Sequence, residues 1–139
     1  GQAVLAAGRV ATVQALGGTG GLKVGADFLK KLNPGAQVLI SDPSWENHRA
    51  LFTNAGFPVG TYAYYDAANR GVNFAGMLAD LQAAAAGTIV VLHACCHNPT
   101  GYDITPAQWD EVIAVLKARG LVPFRSRIVR VTTPPRPGP

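Results

Sequence analysis

"TIVVLHACCHNPTG", residues 88–101, decides how the rest of this chain is read. Residues 88–96 run almost without polar alternation, which is the pattern of a strand buried on both faces, and such strands belong to parallel sheets covered by helices on each side. Asn98-Pro99 then stops the run with a turn. His93, Cys95, Cys96 and His97 crowd into the last part of the stretch. Successive residues of a strand point to opposite faces, so these four are not expected to converge on one metal ion. Nothing orients a base for a Cys–His nucleophile either, and the adjacent cysteines read as reduced packing thiols.

Working outward, the neighbouring segments alternate in period. Before it, "FAGMLADLQAAAAG" (74–87) sets Phe74, Met77, Leu78 and Leu81 on one helical stripe, and "PVGTYAYYD" (58–66) has strand character. "PSWENHRALFTNAG" (43–56) reads as a helix closed by Gly56, "AQVLIS" (36–41) as a short strand, and "GLKVGADFLKKL" (21–32) as a helix that "NPG" stops. After it, "TPAQWDEVIAVLKARG" (105–120) opens with Thr105 as N-cap, Pro106 at the first helical position and Gln108 at the capping-box site. "LVPF" (121–124) begins another strand. Strands and helices of this length in alternation imply an α/β fold in three layers, with right-handed crossovers and a mainly parallel sheet.

The chain has 139 residues, 48% of them hydrophobic and only 14% charged, against about 25% charged in an average domain. One domain over residues 1–124 is expected, with surface meant to be covered. The net charge of +4 has a local origin: four of the 12 Lys and Arg are Arg125, Arg127, Arg130 and Arg136, and the other eight balance eight Asp and Glu. Residues 125–139 form a basic tail, unrelated to the domain, with four prolines in its last six residues, and are expected to be disordered. A neutral body gives no nucleic-acid footprint. No apolar run approaches the ~20 residues that span a bilayer, and no signal-peptide core is present, so a soluble cytoplasmic chain is expected.

Three places can carry chemistry. "LGGTGG" (16–21) precedes a helix, where backbone N–H groups and a hydroxyl can cradle a phosphate, or simply form a turn. It matches neither G-x-x-x-x-G-K-[ST] nor G-x-G-x-x-G. Trp45 in "DPSWENH" (42–48) follows a strand's C-terminal end, the edge where open α/β sheets bind ligands, and its indole can stack on a flat ring or pack internally. Asn98 in "HNPTG" (97–101) follows another such end and either reaches a ligand oxygen or builds the turn.

Taken in order, "GGTGGLKVGADFL", "SDPSWENH", "YAYYD" and "HACCHNPTG" closely resemble the class I pyridoxal-phosphate aminotransferases that act on aspartate and aromatic amino acids, from about Gly8 to Phe124. The resemblance implies part of the large, cofactor-binding domain of a fold-type I enzyme. It implies pyridoxal 5'-phosphate as cofactor, an amino acid and a 2-oxo acid as substrates, and a homodimer. By the same resemblance Gly18 and Thr19 bind the cofactor phosphate and Trp45 stacks on the pyridine ring. Asn98 contacts the phenolic oxygen and the substrate carboxylate, His93 lies behind the ring, and Asp42-Pro43 and Asn98-Pro99 are cis. The family continues after "VPF" with Asp-x-Ala-Tyr, whose aspartate pairs with the pyridine nitrogen, whereas this chain reads Arg125-Ser126-Arg127. The family's Schiff-base lysine, its phosphate arginine and its substrate arginines lie further along, and Lys23, Lys30, Lys31 and Lys117 do not match that lysine. No catalytic residue is therefore assigned. "GQAVLAAGRV" (1–10) reads as the inside of a helix. The expectation is an aminotransferase fragment, inactive alone and prone to self-association. The alternative is a non-catalytic α/β module with residual phosphate, cofactor or partner binding.

Overall fold

A computed structural model describes residues 2–126. In chain order the elements are α1 (Gln2–Ala6), α2 (Gly17–Leu32), β1 (Val38–Asp42), α3 (Glu46–Asn54), β2 (Val59–Ala63), β3 (Tyr65–Asp66), β4 (Gly71–Val72), α4 (Phe74–Ala83), β5 (Ile89–His93), α5 (Pro106–Arg119) and β6 (Val122–Ser126). Four strands form one sheet in the order β2-β1-β5-β6. All three of its pairings are parallel, and β3 and β4 make a separate antiparallel ribbon.

The deciding stretch does what its composition implies. Ile89, Val90, Val91 and Leu92 are all buried, and alternate side chains enter different cores. Ile89 and Val91 pack with Ala26 of α2, Val38 and Ile40 of β1 and Phe52 of α3. Val90 and Leu92 pack with Met77 and Leu81 of α4 and Val112 and Leu116 of α5. The molecule is thus α/β in three layers, with α2 and α3 on one face of the sheet and α4 and α5 on the other.

Local chemistry sets the element ends. Thr105 and Gln108 close a reciprocal capping box at the start of α5, Pro106 follows, and Gly120 ends the helix at φ 62°. Asn73 caps α4 through the Gly76 N–H. A Cβ on Gly25, in the middle of α2, would lie 2.5 Å from the Phe124 ring, so glycine is what lets α2 approach β6.

Several boundaries differ from the sequence reading. Helix α2 begins at Gly17, four residues early, because the glycine run joins the helix and Gly20 N–H already bonds to the Leu16 carbonyl. The 58–66 segment divides into β2 and β3. Helix α4 stops at Ala83, and residues 84–88 turn, with Gly87 at φ 81°. Strand β5 ends at His93, so the two cysteines lie in a bend and Cys96 sits at φ 55°. Strict two-residue alternation therefore does not govern His93 through His97. Pairing of His93 with Ser126 carries β6 through Arg125 and Ser126, past Phe124. The rest of the expected tail, from residue 127, lies outside the described residues.

Candidate cofactor site

The C-terminal ends of β1 and β5 lie side by side and feed two loops. After Ser41 and Asp42, β1 passes through cis Pro43 and Ser44 to Trp45, the residue before α3. His48 is one turn further on. Strand β5 ends on His93, and the chain then bends through Cys95 and Cys96 to His97, Asn98 and cis Pro99.

These loops bring all 3 histidines of the chain together. The Trp45 and His48 rings meet edge to face at 5.5 Å, His48 and His93 lie 5.1 Å apart, and His93 and His97 4.5 Å. His97 stacks on Tyr64 at 3.8 Å and 11°. Hydroxyls flank the imidazoles: Ser44 Oγ is 2.9 Å from His48 Nδ1, Ser41 Oγ 2.9 Å from His97 Nε2, and Thr100 Oγ1 2.8 Å from His97 Nδ1. A hydroxyl donates or accepts as required, so each of these three ring nitrogens is satisfied in either tautomer.

Charge on this row is opposed. Burial, then the neighbouring His93, lowers His48 to about 4. Burial first, with His93 and His48 adding to it and Asp103 working against it, lowers His97 to about 3. Burial also lowers His93, again against the pull of Asp103. At neutral pH the row is an uncharged polar floor. His93 differs from its neighbours in one respect: both its ring nitrogens are buried without a hydrogen-bond partner among the described residues. Such atoms are costly unless something polar meets them.

Trp45 and Asn98 are half-buried at this edge. A cavity of about 350 Å³ opens beside Trp45, lined also by Ser41, Asp42, Ser44, Arg49 and Thr61. Gly18 and Thr19 lie exposed in the first turn of α2. That helix runs against the strands: Asn33, just past its C-terminus, donates to the Gly87 carbonyl before β5, while Gly25 meets Phe124 in mid-strand. Its first turn, seven residues or about 10 Å before Gly25, therefore points to the same edge as Trp45 and Asn98. Leu16 offers no side-chain cap there, so the first-turn N–H groups face outward for an acceptor. No hydrogen bond or ring contact joins Gly18 or Thr19 to the histidine row among the described residues.

These features fit pyridoxal phosphate. An indole, a neutral polar floor with unpaired nitrogens and a helix start suit a flat, phosphorylated, polar ring. Among the described residues no group of three or more His, Cys, Asp or Glu is arranged to hold a metal ion. No helix there is long and apolar enough to cross a membrane.

Of the three histidines the sequence reading gives a cofactor role to His93 alone: His97 is weighed there only as a metal ligand or nucleophile partner, and His48 is not weighed. The spacing of three from Trp45, one helical turn, is the signal for His48. The left-handed bend at Cys96, which precedes His97, leaves no mark in an apolar run that reads as a strand.

The family described as Aminotransferase class I and II matches residues 1–125. An aspartate aminotransferase from Pseudomonas aeruginosa is 69% identical over 121 residues, covering 87% of this chain and 30% of that protein. An aromatic-amino-acid aminotransferase from Escherichia coli is 60% identical over 121 residues, again 87% of this chain and 30% of that protein. An aromatic-amino-acid aminotransferase from Burkholderia pseudomallei, solved covalently bound to pyridoxal phosphate, superposes with a TM-score of 0.87 at 68% identity, over 89% of this chain and 31% of its own. The chain spans about 30% of the length of these curated relatives. By the match over residues 1–125 and these identities, this chain belongs to the class I and II aminotransferase family.

Proposed function

We propose that this chain forms part of the pyridoxal-phosphate face of an aminotransferase acting on aspartate or an aromatic amino acid and a 2-oxo acid, and does not transaminate by itself. The observation that carries the reading is the uncharged row of His48, His93 and His97 behind Trp45 at the strand ends, with the His93 ring nitrogens unpaired among the described residues. Gly18 and Thr19 offer N–H groups and a hydroxyl to the phosphate. Trp45 stacks on the ring, Asn98 meets the phenolic oxygen and the substrate carboxylate, and His93 backs the ring. When bound, the cofactor supplies the electron sink for exchange of an amino group. A homodimer and a cytoplasmic location belong to the same proposal.

The lysines support inactivity. Lys23 is paired with Asp27, and Lys30 donates to the Pro34 and Gly56 carbonyls and lies over the Phe57 ring. Lys31 and Lys117 are exposed on the outer surfaces of α2 and α5. Among the described residues none makes a hydrogen bond or ring contact with Trp45 or Asn98.

Pyridoxamine 5'-phosphate tests the site, because it has no aldehyde to react with surface lysines. Titration of the full chain, followed by amide chemical shifts, is expected to give a dissociation constant near 1 mM, about −4 kcal/mol. Shifts should centre on Gly18, Thr19, Trp45 and Asn98 and be lost in Trp45→Ala. Binding that Trp45→Ala leaves intact, or shifts confined to other surfaces, favours the non-catalytic module instead.

A further inference from the structure

We infer that Asp103 is the positioning residue for Asn98, its carboxylate pinning the loop backbone so that the Asn98 amide meets the cofactor's phenolic oxygen. The inference rests on the role proposed above for Asn98 and adds what sets that residue in place.

Among the described residues no hydrogen bond holds the Asn98 side chain, so the backbone on either side must aim it. On the N-terminal side, Cys96 occupies the left-handed region at φ 55°, which a non-glycine residue adopts only with support. That support is Asp103. Its Oδ2 accepts from the Cys96 N–H at 2.8 Å and its Oδ1 from the His97 N–H at 2.9 Å. Two successive N–H groups thus converge on one anion, one to each oxygen, and bonds to an ionised acceptor are roughly twice as strong as neutral ones.

On the C-terminal side, Gly101 N–H donates to the His97 carbonyl at 2.7 Å. Tyr102 N–H donates to Thr100 Oγ1 at 3.2 Å, and Tyr64 Oη–H donates to the Tyr102 carbonyl at 2.8 Å. The His97 ring, held between Ser41 and Thr100 and stacked on Tyr64, anchors the middle. Among the described residues Asp103 is the only acidic side chain in this ring of contacts, and it closes residues 96–103 into one unit. Asparagine at 103 keeps one acceptor but turns an NH2 group on the other N–H, so Cys96 or His97 loses its partner.

The test uses the full chain and two probes, pyridoxamine 5'-phosphate and its 3-O-methyl ether, which blocks the phenolic oxygen. Asp103→Asn and Asn98→Ala should each weaken the first probe about fivefold, the effect of one ordinary hydrogen bond. The double variant should be no weaker than either single, since both remove one contact. The methyl ether should bind wild type and Asp103→Asn equally. Asp66, whose carboxylate likewise accepts backbone N–H bonds from Ala68 and Asn69, in the turn between β3 and β4, gives the control Asp66→Asn, expected to bind as wild type. Should Asp103→Asn fail to fold, Asp103→Ser, which keeps a single acceptor, carries the same expectation. The proposal is overturned if Asn98→Ala weakens the first probe and the Asp103 variants do not. It is equally overturned if the Asp103 variants weaken both probes alike, which is the mark of a scaffold residue only. An Asn98→Ala variant with unchanged affinity removes the role given to Asn98 and the positioning role with it.

Discussion

His48 and His97 are polar groups spent on an apolar interior, and their cost shows in acid. Their folded-state values of about 4 and 3 lie below the ordinary 6.5. The unfolded chain therefore binds more protons between those values and 6.5, and the stability they protect is complete above 6.5 and lost as pH falls through that window. Each should contribute a slope of about 1.4 kcal/mol per pH unit within it. Urea midpoints at about pH 7, 6 and 5 should drop progressively, and a flat profile would mean the row titrates normally. At this scale the sequence was informative about place: Trp45 and Asn98 lie in the loops that follow the ends of β1 and β5. It was silent on Asp103, whose contacts are with backbone N–H groups six and seven residues earlier and leave no periodic trace.

The helices and strands were legible because apolar period and end chemistry agree, as at Thr105, Pro106 and Gly120 around α5. Boundaries failed where letters and pairing part company. Ala94, Cys95 and Cys96 continue the apolar run of β5, yet the chain bends from Ala94 and Cys96 turns left-handed at φ 55°, so the strand stops while the composition does not. The glycines opening α2 misled in the other sense, as weak helix formers that are helical nonetheless. Two substitutions test the element contacts. Gly25→Ala adds a Cβ 2.5 Å from Phe124 and should cost about 1–2 kcal/mol of stability despite alanine's better helix propensity, with part recovered when Phe124→Leu is added. Thr105→Ala removes the α5 cap and should cost about 1 kcal/mol. Equilibrium urea unfolding reads both.

At the scale of the whole molecule, one side of α2 is exposed among the described residues. Val24, Phe28 and Leu32 follow each other at four-residue spacing and are 49%, 59% and 65% exposed, with Leu16 at 94% before them. An apolar stripe of this kind favours association. Sedimentation should show species heavier than 14.5 kDa at tens of micromolar, reduced by Phe28→Lys. A strictly monomeric wild type would contradict that. Under the proposed function this chain carries a cofactor-facing edge without a lysine that can use it. The direct measurement is to incubate the full chain with pyridoxal phosphate, reduce with borohydride, map the label by mass spectrometry, and assay amino transfer from aspartate and from an aromatic amino acid on an unreduced sample. Scattered, substoichiometric labelling among Lys23, Lys30, Lys31 and Lys117, and no transfer above the protein-free blank, are expected. One equivalent of cofactor fixed on a single lysine, together with steady turnover, would contradict the proposed function.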